Sequence, residues 1–240
     1  MTARVSRLRR LLGEIDGELG RAHLPAWLRP TQTESRWPAG VAVLAAIALQ
    51  WSVNKNLAFS PKWLLPAIEL ALFAVLTIAD PVRINRESAV LRIVSIALVV
   101  VASMATAWSA ARLVDQLIHH VAIDASRLLL NGGAIWLTNV IVFALWYWEG
   151  DRGGPAARAN ARDDYPDFLF PQMTAPEMAP ANWEPTFVDY FYLSLTNATA
   201  FSPTDTLPLS RWAKLTMAAE SVVSLLTVAL LVARAVNILK

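Results

Sequence analysis

The chain has 240 residues, of which 55% are hydrophobic and 17% charged, and its mean hydropathy is +0.41. A soluble domain carries about a quarter charged residues, so this composition predicts a membrane protein. The formal net charge of +2 is too small to indicate a nucleic-acid partner. The absence of cysteine excludes disulfides, thiolate nucleophiles and thiolate metal sites. The Ala- and Arg-rich composition is typical of a bacterial protein.

The first 37 residues form a basic N-terminal segment with seven arginines. Apolar residues recur at helical spacing from Val5 to Leu19, with basic and acidic residues between them. This pattern predicts an amphipathic helix that either lies on the membrane surface or packs on the transmembrane part of its own chain.

Five apolar blocks follow along the chain, at residues 38–53, 63–78, 89–111, 128–148 and 215–233. About 20 apolar residues cross a bilayer at roughly 1.5 Å rise each, so the last three blocks are long enough to span. The first two predict a helical hairpin. Together with the third they make a three-helix transmembrane region, residues 38–126.

Residues 149–185 differ in kind, because they carry six prolines and seven acidic residues. Such a segment cannot lie in lipid, where its backbone would be unpaired. Its aromatic side chains are too many for a free linker. We therefore predict an ordered cap pinned by the rings of Tyr165, Phe168, Phe170 and Trp183.

Residues 187–200 predict a half-helix. Pro185 and Asp189 suit a helix start, and Pro203 stops the helix. About 14 residues of helix reach roughly 21 Å, short of the roughly 30 Å hydrocarbon core. The pattern therefore predicts a re-entrant segment at 186–208, followed by an inner helix at 209–238.

Residues 196–209 read Thr-Asn-Ala-Thr-Ala-Phe-Ser-Pro-Thr-Asp-Thr-Leu-Pro-Leu. This strip resembles the pore loop of tetrameric potassium channels, Thr-Thr-x-Thr-Thr-Val-Gly-Tyr-Gly-Asp-x-x-Pro. The residues that coincide without a gap are Thr196, Thr199, Asp205, Pro208 and Leu209. The resemblance covers residues 127–240 as a pore-like module, in which 128–148 is the outer helix. It implies four copies of the chain around one ion path.

The filter positions depart from that family, since Val-Gly-Tyr-Gly is replaced by Phe201, Ser202, Pro203 and Thr204. The usual filter needs backbone angles that glycine allows and side chains forbid, so a potassium-selective filter is not expected. The loop either lines a wider pore or forms a closed plug in a protein that has lost conduction, or the match in register is chance. A wider pore would use hydroxyls and a ring of Asp205 carboxylates, which favours cations.

Arg211 and Glu220 fall where many potassium channels carry a basic and an acidic residue at the start of the inner helix. An intramembrane carboxylate is costly and marks a functional position by default. The resemblance implies that Glu220 supports the pore from behind the loop. We expect a structural brace rather than a titrating ion site, with Arg211 or Lys214 as partner.

Other polar residues have plainer readings. Arg112 and Asp115 are three apart and are predicted to pair with each other. Glu69 has no local partner and is predicted to reach another helix. Gly132 and Gly133 predict close helix packing.

Charge counting gives the orientation. Arginines dominate the N-terminal segment and the turn at 80–88, which places the N-terminus in the cytoplasm. Five crossings then put the re-entrant segment on the cytoplasmic side, opposite to potassium channels. Either the module is inverted, as in ionotropic glutamate receptors, or one weak N-terminal block does not cross, or the resemblance is misleading.

The sequence shows no assembled nucleophile, base and orienting group, so we expect no enzyme, no cofactor and no metal site. The prediction is an all-α, polytopic protein of the cell membrane with five transmembrane helices and a re-entrant half-helix. Its function is predicted to be that of an ion channel-like, cation-permeable pore, for which a monovalent cation is the transported species. The expected partners are the bilayer and further copies of the chain. The alternative is a non-conducting membrane scaffold that binds a partner through its basic N-terminus and aromatic cap.

Overall fold

The computed structural model describes residues 25–31, 34–79, 88–119, 125–162, 165–200 and 205–238. This part of the chain is mostly helical. In chain order its first helices are α1 (Trp37–Ser52), α2 (Leu64–Ala79), α3 (Ala89–Ile118) and α4 (Ala125–Gly150). They are followed by α5 (Pro155–Ala159), α6 (Pro171–Thr174), α7 (Phe187–Ala200) and α8 (Arg211–Ile238). Two short strands, β1 (Phe168–Leu169) and β2 (Leu207–Pro208), pair antiparallel.

Helices α1 to α4 run in alternating directions. At one end, which we call the cap end, the indole of Trp148 in α4 donates to Glu34, just before α1. At the opposite end, which we call the far end, the backbone N–H of Asn54 donates to Oδ1 of Asn131 at 2.8 Å. Each end of the bundle has its own apolar core, and α4 lies at the centre of both.

In the described part of the chain, three helices are long and apolar enough to cross a membrane. They cover Ala89–Ile118, Ser126–Gly153 and Arg211–Arg234. These helices identify a membrane protein and confirm the three longer predicted blocks. Helices α1 and α2 have 16 residues each. At 1.5 Å per residue they reach about 24 Å.

The described residues 149–162 and 165–185 form an ordered cap over one end of the bundle. The ring of Phe168 lies 5.0 Å from that of Tyr147 and 5.5 Å from that of Trp212, while Phe170 meets Trp183 at 6.1 Å. The prediction that aromatic rings pin the cap is therefore confirmed for Phe168, Phe170 and Trp183. The prediction is wrong for Tyr165, which is 86% exposed and is not part of the aromatic core.

The described N-terminal residues pack on the cap. Oγ1 of Thr31 donates to Glu184 at 2.6 Å, and the Thr31 N–H donates to the carbonyl of Ala159 at 2.9 Å. The guanidinium of Arg152 donates to the Trp27 carbonyl at 2.6 Å and lies over the Trp27 ring. Residues 1–24, where the amphipathic helix is predicted, lie outside the described residues.

Helices α4 and α8 are antiparallel and very close. A Cβ added at Gly132 would come within 2.4 Å of Leu231, and one added at Gly150 would come within 2.3 Å of Trp212. The predicted close packing is confirmed at Gly132. It is wrong at Gly133, where an added Cβ would meet no atom within 4 Å.

Candidate functional site

Helix α7 has the bounds that the sequence predicts. Its start is capped, because the Asp189 carboxylate accepts bonds of 2.8 Å from both the N–H and the hydroxyl of Thr186. The Phe187 N–H donates to Oε1 of Glu34 at 2.6 Å. Two carboxylates thus take up free N–H groups at the positive end of the helix dipole.

Glu34 is a largely buried carboxyl outside the apolar helices. Burial raises its pKa above the ordinary value. The donors Trp148 and Phe187, with Arg158 nearby, act in the opposite direction without cancelling the effect of burial. The group therefore ties α4, α7 and the N-terminal segment together at a position that resists ionisation.

One face of α7 is buried between α4 and α8. The buried residues on this face are Tyr190, Leu193, Ser194, Asn197 and Ala198. Three of them carry polar side chains, which is unusual for the inside of an apolar helix bundle unless each polar group has a partner.

Glu220 of α8 supplies the main acceptor. It is fully buried and accepts hydrogen bonds from the hydroxyl of Tyr147 at 2.5 Å, from Nδ2 of Asn197 at 2.7 Å and from the hydroxyl of Ser194. One carboxylate therefore joins α4, α7 and α8. This arrangement has the geometry expected of the structural brace that is predicted for Glu220.

The predicted cationic partner of Glu220 is wrong. Both Arg211 and Lys214 are exposed, and neither pairs with Glu220 among the described residues. Both lie at the cap end of α8, between six and nine residues before Glu220. Hydroxyl and amide donors hold the carboxylate instead.

A second set of bonds fixes the inner half of α7. The Ser194 hydroxyl also lies 2.7 Å from the Val140 carbonyl of α4, so its single proton is shared between that carbonyl and Glu220. The Ser224 hydroxyl of α8 donates to the Ala198 carbonyl at 2.8 Å, and accepts from the indole N–H of Trp136 at 2.6 Å. The last turns of α7 are thereby attached to both neighbouring helices.

After α7 the chain is back at the cap end by Leu207. Strand β2 pairs with β1 in the cap, and the Leu209 N–H donates to the Asp167 carbonyl at 2.8 Å. The Trp212 indole donates to Oδ1 of Asp167 at 2.7 Å. Ala198, by contrast, is level with Ser224, about 20 Å along α8 from its first residue. The start of α7 and strand β2 therefore both lie at the cap end.

Beneath the cap, a buried polar cluster holds the first half of α7. Asp151 accepts from the Tyr190 hydroxyl at 2.6 Å and from the Asp167 N–H at 2.9 Å. The guanidinium of Arg158 lies 5.0 Å from the Tyr190 ring centre and donates to the Trp148 carbonyl at 2.6 Å. These charges lie in the acidic, Pro-rich segment, where no motif in the sequence distinguishes them from surface charges.

The residues predicted to line the pore lie around the end of α7. Thr196 is half-buried and donates to Tyr192, while Thr199 is exposed and donates to Leu195, each within its own helix. Asp205 is exposed. The remaining predicted filter residues, Phe201, Ser202, Pro203 and Thr204, lie outside the described residues.

The opposite face of α7 is uncovered in the single chain. Val188 is 60% exposed, Tyr192 is 59% exposed, and Thr199 continues the same stripe seven residues further on. We call this stripe the α7 face.

Two other predicted polar contacts are present in the structure. Arg112 and Asp115 pair at 3.3 Å near the far end of α3, as predicted. Glu69 is buried in α2 beside Gln50 of α1, so it reaches another helix as predicted. Among the described residues, no three His, Cys, Asp or Glu side chains are grouped as metal ligands.

Comparison with protein families, curated proteins and solved structures gives no match. The geometry around α7 is therefore the basis on which a function is assigned.

Proposed function

We propose that this chain is one subunit of an oligomeric, cation-permeable membrane pore, in which the segment between α7 and α8 lines the ion path. The observation that carries the proposal is the half-helix α7, held between two apolar helices by the buried carboxylate of Glu220. Non-helical backbone at membrane depth is tolerated only where protein buries it or where it lines a water-filled cavity. A polar strip that follows a short, firmly held helix can lie at membrane depth if it lines a water-filled pore.

The proposed topology has five crossings, made by α1, α2, α3, α4 and α8, with α7 as the re-entrant half-helix. Support comes from the alternating directions of the first four helices and from the packing of Thr31 against Glu184 in the cap. That contact places the N-terminal segment and the entry of α7 at one end. With the basic N-terminus in the cytoplasm, the pore module is inverted relative to potassium channels.

Several copies are needed, because one half-helix cannot enclose a path. The uncovered α7 face offers a contact for a neighbouring copy, since Val188 and Tyr192 are large and exposed on a helix whose other face is buried. The resemblance to potassium channels gives four copies as the expected number.

Selectivity for cations is assigned to Asp205. It is exposed at the point where the described chain resumes after α7, and copies around an axis would bring their carboxylates into a ring. The residues before it lack the glycines of a potassium filter, so the proposed pore passes monovalent cations without strict potassium selectivity.

The experiment is cation flux through the purified protein in liposomes. We expect flux from the wild type, and a lower or less cation-selective flux from Asp205→Asn. Glu177→Gln is the matched control, because it removes an exposed carboxylate of the cap. Equal effects of the two variants would contradict the role of Asp205. No flux from a folded oligomer would favour the non-conducting scaffold.

A further inference from the structure

A cavity of about 360 Å³ lies at the cap end of the bundle, away from α7. It is bounded by α1, α2, α3 and α4 and by the residues that follow α4. Its volume lies within the range of small-molecule sites in proteins. Nothing in the proposed pore uses this cavity.

The inner wall of the cavity is apolar. The large side chains that line it are Val43, Phe73, Leu76, Leu98, Leu145 and Trp148. Each of the four surrounding helices contributes at least one of them. A slot of this chemistry, open between helices of a membrane protein, suits a hydrocarbon chain.

The outer part of the cavity is cationic. Arg36, Arg92 and Arg162 line it, and Glu149 is the only acidic residue among the described lining residues. The Glu149 carboxylate accepts a hydrogen bond from Ser95, and Arg92 donates to the Gly153 carbonyl. Arg92 and Arg162 are exposed. The same carboxylate also interacts electrostatically with Arg36 and Arg92. Three guanidinium groups and one carboxylate leave a net positive charge among the described lining residues, which favours an anionic ligand.

The position of the arginines fits a lipid headgroup. Arg36 immediately precedes α1, Arg92 lies in the first turn of α3, and Arg162 follows the cap helix α5. The ends of apolar helices mark the level of the polar headgroups, and basic pockets between such helices bind anionic lipids.

We propose that this cavity binds an anionic phospholipid. Its phosphate contacts Arg36, Arg92 and Arg162, and one acyl chain occupies the apolar slot. The N-terminal residues 1–24 are the competing occupant within the chain. They carry five arginines and three acidic residues, so their charge does not complement the three arginines at the mouth.

The test is lipid binding to the purified chain of 240 residues, measured by native mass spectrometry and by the shift in melting temperature. The probes are phosphatidylglycerol, phosphatidylcholine with the same acyl chains, and inorganic phosphate. We expect phosphatidylglycerol to bind and raise the melting temperature more than phosphatidylcholine, and phosphate to have little effect. Equal binding of both lipids, or a phosphate effect as large as that of phosphatidylglycerol, would overturn the proposal.

Different substitutions test the headgroup site and the apolar slot separately. The double variant Arg92→Gln, Arg162→Gln is expected to weaken phosphatidylglycerol binding about 25-fold, at roughly fivefold per arginine. Arg112→Gln, at the other end of α3, is the control and should bind as the wild type does. Unchanged binding by the double variant would overturn the assignment of the headgroup site.

Gly40→Leu tests the apolar slot. Gly40 lines the cavity, and a Cβ added there would meet the Phe73 ring at 3.4 Å and no backbone atom within 4 Å, so we expect a larger side chain at this position to occupy the slot. We expect the lipid-free protein to fold and melt no lower than the wild type, and the shift with phosphatidylglycerol to be lost. A full shift in this variant would show that the lipid binds elsewhere.

Discussion

Asn197 of α7 donates a hydrogen bond of 2.7 Å from Nδ2 to Oε2 of Glu220 in α8. The same amide nitrogen donates to the Met217 carbonyl at 3.0 Å, and its Oδ1 accepts from Ser221 at 3.2 Å. One side chain of the half-helix is therefore joined to three residues of the long helix. This fastening fixes the position of α7 along α8.

Removing the Glu220 carboxylate should loosen the half-helix. Glu220→Ala leaves the donors of Tyr147, Ser194 and Asn197 without their shared acceptor. We expect a loss of about 3 kcal/mol in the free energy of unfolding, because each buried unsatisfied group costs about 1–3 kcal/mol and relaxation recovers part of it. Urea unfolding of the wild type and the variant in detergent measures this loss of stability.

A matched pair of tyrosines provides the control for this effect. Tyr147→Phe removes a buried hydroxyl that donates to Glu220, and should cost about 1 kcal/mol. Tyr165→Phe changes an exposed tyrosine of the cap and should cost almost nothing. If the two variants unfold at the same urea concentration, Glu220 does not brace α7.

The contact between α4 and α8 should be intolerant of one methyl group. In Gly150→Ala the added Cβ would lie 2.3 Å from the Trp212 ring, which has to move and give up its bond to Asp167. We expect a loss of about 1–3 kcal/mol, the usual cost of overpacking. Gly133→Ala meets no atom within 4 Å and should be neutral or stabilising. Thermal unfolding of both variants measures this, and equal melting temperatures would contradict it.

The pH dependence of stability should reflect Glu34. Burial raises the pKa of this carboxyl in the folded state, so the folded chain holds the proton more tightly than the unfolded chain does. The stabilisation that comes from the protonated Glu34 is therefore fully present below about 4.3, the pKa of a glutamate in the unfolded chain. This stabilisation is lost as the pH rises through the pKa that Glu34 has in the folded chain.

The measurement is the melting temperature at a series of pH values from about 4 to about 7. The wild type should lose stability relative to Glu34→Gln as the pH rises. Glu177→Gln removes an exposed carboxylate of the cap and should keep the wild-type slope. A wild-type slope in Glu34→Gln would show that another group is responsible.

The sequence predicts the bounds of α7 well because local signals set them. Pro185 and Asp189 define its start, and the proline at 203 limits its length. The long apolar blocks are equally visible, although α3 continues to Ile118 because Arg112 and Asp115 pair on its surface instead of ending it. Such features depend on neighbours along the chain.

The partners of Glu220 could not be predicted in the same way. Tyr147 lies between two tryptophans, and no periodicity shows which of the three rings faces α8. Glu34 lies in a basic segment that suggests a surface helix, yet its carboxylate contacts residues more than 100 positions away. These contacts depend on tertiary packing, which a single sequence does not encode in a readable pattern.

The proposed pore requires the Asp205 side chain to face the ion path, and replacing its charge is a direct test of that position. The chain has no cysteine, so Asp205→Cys carries a single thiol. The measurement is cation flux in liposomes after labelling with a sulfonate-bearing or an ammonium-bearing thiosulfonate reagent. Met178→Cys, at an exposed position of the cap, is the labelled control.

We predict that Asp205→Cys conducts less than the wild type, that the sulfonate label restores flux, and that the ammonium label lowers it further. The Met178→Cys control should conduct equally with either label. If both labels react fully at residue 205 and leave flux unchanged, Asp205 does not face the ion path and the proposed pore is contradicted.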